Sequence, residues 1–283
     1  MFGFLGPNAA GKTTTIRCLL GLVRSNGGTA RLLGADVSRD LAKVIRRVGS
    51  IVETPAFFPR FSGRRNLWLL ARTRDIGLER VDAALERVGL SERAGGLVKT
   101  YSFGMKQRLG IAAALLADPE VLLLDEPANG LDPAGIVEVR DLLRSLGAEG
   151  RTVFLSSHIL AEVQQVADRV AILARGECIT IGRVDEVLSA GRARGVIARL
   201  DDVTAGARAL ADAGIRAAPA NGALRVEVPP SEAATVTRVL ADRGLYLTEL
   251  RPDEVDLETV FLELTSDEPH EEPHEEPHEE AQR

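Results

Sequence analysis

Phe2-Gly-Phe-Leu-Gly-Pro-Asn-Ala-Ala-Gly-Lys-Thr13 decides how the rest of this chain is read. Phe2 to Leu5 is a short apolar run suited to a strand. Gly6, Pro7, Asn8, Ala9, Ala10, Gly11, Lys12 and Thr13 then fit the pattern Gly-x4-Gly-Lys-[Ser/Thr]. Thr14 to Leu22 follows with apolar residues at helical spacing. Strand, glycine-rich loop and helix in that order make a phosphate-binding loop rather than a chance turn. Backbone N–H groups of the loop and the helix start point at phosphate. Lys12 adds a mobile positive charge, and the Thr13 hydroxyl is placed to coordinate Mg²⁺.

A second chemical element lies far downstream. Val121-Leu-Leu-Leu124 is a continuous apolar run, the habit of a strand buried on both faces of a parallel sheet. It delivers Asp125 and Glu126 to its carboxyl end, where open α/β sheets bind their ligands. Asp125 suits Mg²⁺ through its water shell, and Glu126 is placed to accept a proton from an attacking water. Between loop and acids, Tyr101-Ser-Phe-Gly-Met-Lys-Gln-Arg108 runs into an apolar helix. There Ser102 is an N-cap and Gly104 a point of close backbone approach.

The remaining pattern alternates strands and helices, which implies a parallel α/β sheet. Strands are expected at Thr29–Leu33, Gly49–Val52, Thr152–Ser156 and Val170–Ala174, with a short helix around Leu41–Arg47. A helical insertion over about residues 55–117 holds helices at Arg64–Arg74, Leu78–Val88 and Gly104–Ala117. After residue 195 the order becomes β-α-β-β-α-β: Val196–Leu200, Val203–Ala213, Ile215–Ala218, Leu224–Val228, Ser231–Arg243 and Leu245–Leu250. That order suggests a small split-βαβ sandwich, closed by a helix at Asp256–Leu264. The expected division is therefore residues 1–190, an accessory α+β domain over 195–266, and a tail over 267–283.

The tail repeats Glu-Pro-His-Glu three times and carries three of the four histidines, His270, His274 and His278. Proline every fourth residue and dense charge predict a solvated, disordered segment, with metal binding the lesser alternative. Eight carboxylates against Arg283 give it a net charge of −7, so the rest of the chain sums to +1 out of the overall −6. No basic stripe suggests a nucleic-acid partner. At 283 residues and 45% apolar content the chain is long enough for a real core. It shows neither a signal segment nor an apolar run of membrane-helix length. Cys18 and Cys178 offer no disulfide framework or metal spacing, which fits a reducing cytosol.

With these residues in order, the chain resembles the nucleotide-binding subunit of an ABC transporter over residues 1 to about 190. Gly6–Thr13 matches the Walker A loop, Val121–Glu126 the Walker B strand, and Tyr101–Met105 the five-residue signature. Asn129-Gly-Leu-Asp132 resembles the D-loop, and Ser156-Ser-His158 the segment with the switch histidine. More narrowly, Ile51-Val-Glu53-Thr-Pro-Ala-Phe-Phe, Phe103-Gly-Met-Lys-Gln and Gly130-Leu-Asp-Pro-Ala-Gly135 are similar to the bacitracin- and drug-resistance exporter group.

The resemblance implies a P-loop ATPase fold, ATP and Mg²⁺ as ligands, and a head-to-tail dimer, expected to be of two identical subunits. Ser102 and Gly104 of one subunit would close over the phosphate held by Lys12 of the other. His158 would touch that phosphate within its own subunit, Asp132 would link the two sites, and Glu53 would take a place near the metal. A separately encoded permease would hold the chain at the cytoplasmic face of the membrane. The alternatives are a soluble ATPase of the same fold and a regulatory module that does not hydrolyse nucleotide.

The chain departs from the family pattern at several points. Glu53 stands where the family has glutamine, Phe103 and Met105 replace glycine and glutamine of the signature, and Ala9 replaces a glycine of the loop. A methyl at residue 9 costs little unless φ is positive there. The family also places about 30 residues before the loop, so the expectation is that Met1 is a start misplaced inside a strand, which is no natural domain boundary.

Overall fold

The computed structural model describes residues 1–53, 55–190, 195–253 and 256–266. The segment at 191–194 and the tail from residue 267, with its histidine repeat, lie outside the described residues. The chain begins with β1 (Phe2–Leu5) and α1 (Lys12–Leu19), followed by the hairpin β2 (Arg31–Leu32) and β3 (Ala35–Asp36). Next come α2 (Leu41–Val44), β4 (Val48–Ile51), α3 (Gly63–Arg72), α4 (Leu78–Arg87) and α5 (Phe103–Leu115). The order then becomes β5 (Val121–Leu124), α6 (Pro133–Ala148), β6 (Thr152–Ser157), α7 (Leu160–Gln164), β7 (Arg169–Ala174), β8 (Glu177–Arg183) and α8 (Val184–Ala190).

Six of these strands form one sheet in the order β4-β5-β6-β1-β7-β8, parallel except for β8. β1 is interior, with Phe2 in register with Phe154 on one side and Arg169 on the other. The parallel register brings the carboxyl ends of β1, β4, β5 and β6 to one edge of the sheet. That edge therefore collects Gly6, Glu53, Asp125 and His158, although they are far apart in sequence. Phe2 stacks on Phe154 at 5.4 Å between ring centroids, and Phe4 packs on the same ring at 5.2 Å. Gly3 is a packing requirement: a Cβ there would lie 2.2 Å from Val163 Cγ1 of α7.

The helical segment folds as a layer of α3, α4 and α5 whose buried residues, among them Leu67, Leu85 and Ile111, join the core under β5 and β6. Ser62 caps α3 by accepting from Arg65 N at 3.2 Å. The buried Tyr101 donates its hydroxyl to Arg93 O at 2.6 Å, and burial pushes its phenol up from the ordinary value.

The C-terminal part contains β9 (Val196–Leu200), α9 (Val203–Asp212), β10 (Ala217–Ala220), β11 (Ala223–Val226), α10 (Ala233–Ala241), β12 (Leu247–Pro252) and α11 (Leu257–Ser266). Its four strands pair antiparallel in the order β10-β11-β9-β12, the split-βαβ arrangement that the element order suggests. Val196, Ala198, Leu224 and Val226 face Leu210 of α9 and Leu240 of α10 in a core of their own. α11 does not close that sandwich. Leu257 and Val260 are buried in the core of the first sheet, and Leu257 N donates to Gln164 Oε1 of α7 at 3.0 Å.

Two differences from the sequence reading have local causes. Thr29–Leu33 is not one strand: Leu33 (φ 49°) and Gly34 (φ 81°) turn the chain into a tight hairpin. β8 carries charged and apolar residues mixed together because it is an edge strand, and its pattern does not stand out in sequence.

Candidate nucleotide-binding site

The loop after β1 is built around Lys12. Gly11, at φ 101°, is the residue before α1, and Ala10 N closes a turn onto Pro7 O at 3.2 Å. The start of α1 presents backbone N–H groups and carries no acidic residue, which favours an anion. Lys12 is 6% exposed, and its ammonium donates to Gly6 O at 2.7 Å and Pro7 O at 3.1 Å. It also lies 3.2 Å from Glu126 Oε1. Asn8 and Ala9 are exposed at the loop tip and Thr14 on the first turn of the helix. Ala9 holds φ 64°, so the condition under which its methyl is costly is met.

The carboxylates after β5 are tied to this loop and to β6. Thr13 Oγ1 donates to Asp125 Oδ2 at 2.7 Å, and Ser156 Oγ donates to Asp125 Oδ1 at 2.5 Å. Ser156 in turn accepts from Glu126 N at 3.0 Å, so one buried hydroxyl sets the spacing of both acids. Glu126 stands at φ 48°. Its Oε2 lies 2.8 Å from His158 Nδ1, a hydrogen bond when that nitrogen carries the proton, and accepts from His158 N at 3.4 Å. Lys12, Thr13, Asp125, Glu126 and His158 thus form one connected group.

Ser156 entered the sequence reading only as the lead-in to His158. Its bridging role depends on β5 and β6 lying side by side, which no local pattern announces. Glu162 was also missed. Burial pushes its carboxyl above the usual value; His158 pulls it down and the charge of Glu126 pushes it up, so it shares their electrostatic environment.

The other expected site residues are elsewhere. Glu53 pairs with Arg17 of α1 and stands at φ 63°; no contact joins it to Thr13 or Asp125 among the described residues. Ser102 caps α5 by accepting from Met105 N at 3.2 Å, and Asp132 caps α6 by accepting from Gly135 N at 3.1 Å. With Gly104 and Leu131 they border an open groove of about 370 Å³ in which two helix starts converge. Among the described residues neither cap makes a hydrogen bond or ion pair with the Lys12 group.

The donor set can be tested against Mg²⁺. A carboxylate and a hydroxyl 2.7 Å apart supply hard oxygen ligands, and among the described residues no group of three or more His, Cys, Asp or Glu is placed to hold a metal ion by itself. That fits an ion that keeps water and takes phosphate oxygens, rather than one needing an all-protein cage.

Comparison with known proteins agrees with this geometry. The family model described as ABC transporter matches residues 1–129. The bacitracin transport ATP-binding protein BcrA of Bacillus licheniformis is 48% identical over 183 residues, 63% of this chain and 59% of that protein. Its namesake from Enterococcus faecalis is 36% identical over 273 residues, 93% of this chain and 87% of that protein. A solved structure of the ATP binding subunit of an ABC transporter superposes with a TM-score of 0.58 at 29% identity, covering 66% of this chain and 80% of its own. The chain spans about three fifths of the length of the curated relatives it matches at 48–49% identity. The phosphate loop, the acid pair on its parallel strand and a near full-length relative together place the chain: it belongs to the ABC transporter ATP-binding protein family.

Proposed function

We propose that the chain binds and hydrolyses ATP with Mg²⁺ and drives a separate membrane permease as one subunit of an exporter of the antibiotic or drug type. The observation that carries this reading is the bridge Thr13–Asp125–Ser156–Glu126 beside Lys12. In it, a metal-type oxygen pair and a candidate base are fixed next to a phosphate loop.

Residues Gly6 to Thr14 hold the phosphates through backbone N–H groups, and Lys12 exchanges its contact with Glu126 for phosphate oxygens. Thr13 and Asp125 hold the ion, which when bound neutralises developing phosphate charge. Glu126 accepts the proton of the attacking water, and His158 orients its carboxylate through Oε2. Glu53 joins the metal's outer ligands only by leaving Arg17.

Ser102 and Gly104 act on the phosphate of a second copy across the dimer, and Asp132 lies at the same groove to join the two sites. The exporter class is supported by the names of the BcrA relatives. Work at the cytoplasmic face through the permease follows from that class, and no helix among the described residues is long and apolar enough to cross a membrane. The unit built on β9–β12 is an accessory, regulatory or interaction domain, with no part in the chemistry.

ATP turnover by the full chain, compared with Glu126→Gln, tests the assignment. Removing the base is expected to slow hydrolysis by about 10²–10⁴-fold. The variant should keep nucleotide binding and show an ATP-dependent dimer by size-exclusion chromatography. Hydrolysis unchanged by the substitution sinks the role of Glu126.

A further inference from the structure

α1 meets the carboxyl edge of the sheet at two levels. Thr13 and Arg17 are four residues apart within α1, so their side chains lie on one face of the helix, about 6 Å apart along its axis. Thr13 Oγ1 donates to Asp125 Oδ2 at 2.7 Å, and Arg17 Nη2 donates to Glu53 Oε1. The acids of these two contacts come from neighbouring strands. β4 and β5 run in register from Val48 beside Val121 to Ile51 beside Leu124, and Asp125 N extends the ladder by donating to Ile51 O at 2.9 Å. Glu53 stands two residues beyond Ile51, so one helix face engages both carboxylates, one turn apart.

The two contacts differ in how firmly they are held. Asp125 is 5% exposed and accepts a second hydrogen bond from Ser156. The Arg17 and Glu53 side chains are 38% and 63% exposed, and among the described residues no other ion pair or side-chain hydrogen bond engages either of them. A pair so open to water contributes little, and a stronger charge nearby can part it. Mg²⁺ is such a charge. Held by a carboxylate and phosphate oxygens, it keeps several waters, and a carboxylate one turn away can bind those waters without direct contact. While Arg17 holds Glu53, that carboxylate is both occupied and neutralised.

We propose that Arg17 is a positioning residue that competes with the bound metal for Glu53. The Arg17–Glu53 pair is the resting arrangement, and Glu53 leaves the guanidinium for the ion's water shell when the metal site fills. Arg17 thereby loosens the hold on the metal by the cost of parting the pair. This role for Arg17 rests on the assignment of the ion to Thr13 and Asp125 in the proposed ATPase, and adds the residue that sets how tightly the ion is kept.

Mn²⁺, standing in for Mg²⁺, titrated into the full chain held in excess over ADP tests the competition, with the free ion read from its EPR signal. The parent, Arg17→Met, Glu53→Gln and the double variant form a cycle. In the parent background Arg17→Met should tighten the Kd for Mn²⁺ by about fivefold, or about 1 kcal/mol. Part of that gain comes simply from removing a positive charge near a divalent ion, an effect of about twofold across water. Only that part should remain when Arg17→Met is made in Glu53→Gln. Arg17→Lys keeps a cation opposite Glu53 and should hold the Kd within about twofold of the parent. Equal effects of Arg17→Met in the two backgrounds, or looser binding in that variant, overturn the competition while the metal assignment stands. No ion bound beyond that held by ADP alone overturns the metal assignment and this role with it.

Discussion

Ala9, Glu53 and Glu126 all hold positive φ angles, 64°, 63° and 48°, in a backbone region that costs an L-residue about 1–2 kcal/mol. Such strain gathers where a loop must present groups in one direction, and here it falls on three of the residues singled out for chemistry. Ala9→Gly should relieve it. Offset against the greater freedom of glycine in the unfolded chain, the net gain is about 0–1 kcal/mol in urea unfolding. A variant clearly less stable than the parent would show that the methyl makes a contact worth more than the strain. The residue types were legible in the sequence and the angles were not. Gly-x4-Gly-Lys-Thr and Asp125-Glu126 declare themselves through side-chain chemistry at fixed spacing. The Ser156 bridge and the company Glu162 keeps with Glu126 and His158 depend on elements distant in sequence coming together.

At the level of elements, the parallel strands were easy to read where burial on both faces leaves a continuous apolar run, as in Val121–Leu124 and Val170–Ala174. The helices of the inserted layer were equally plain: α3 and α4 are amphipathic, α5 is a nearly continuous apolar run, and Ser62 and Ser102 cap two of their starts. Short β2 and β3 and the edge strand β8 were obscured, since a pair of residues or one exposed face gives periodicity too little to act on. One element contact is open to direct test. β1 and α7 approach so closely that a methyl on Gly3 would stand 2.2 Å from Val163. Gly3→Ala should therefore cost about 1–3 kcal/mol in unfolding free energy. Because α7 follows His158 directly, ATP turnover should fall as well. Full recovery of stability in Gly3→Ala combined with Val163→Ala would assign the cost to that single contact. No recovery would assign it to β1 itself.

Across the whole molecule, the C-terminal part is not simply appended. β9 begins after Gly195 and β12 ends just before Asp253, and Asp253 N donates to Gly195 O at 2.9 Å, so the chain enters and leaves the second sheet at one place. α11 then returns to α7 and α8, burying Leu257 and Val260. Ending the chain at residue 190 should strip those side chains from the first core at a cost of about 3–6 kcal/mol. Replacing residues 195–253 by a short Gly-Ser bridge keeps α11 and should hold Tm within about 4 °C of the parent. Equal losses in the two deletions would mean that the four-stranded sheet itself supports the body. The order β-α-β-β-α-β was readable from the sequence, but the return of α11 was not, because an amphipathic helix does not state which core it will join. The meeting of Gly195 and Asp253 gives the chain a neck two strands wide. An insertion whose two ends meet in this way leaves the path from Lys12 to His158 unbroken, and α11, which follows it, packs on α7, the helix directly after that histidine.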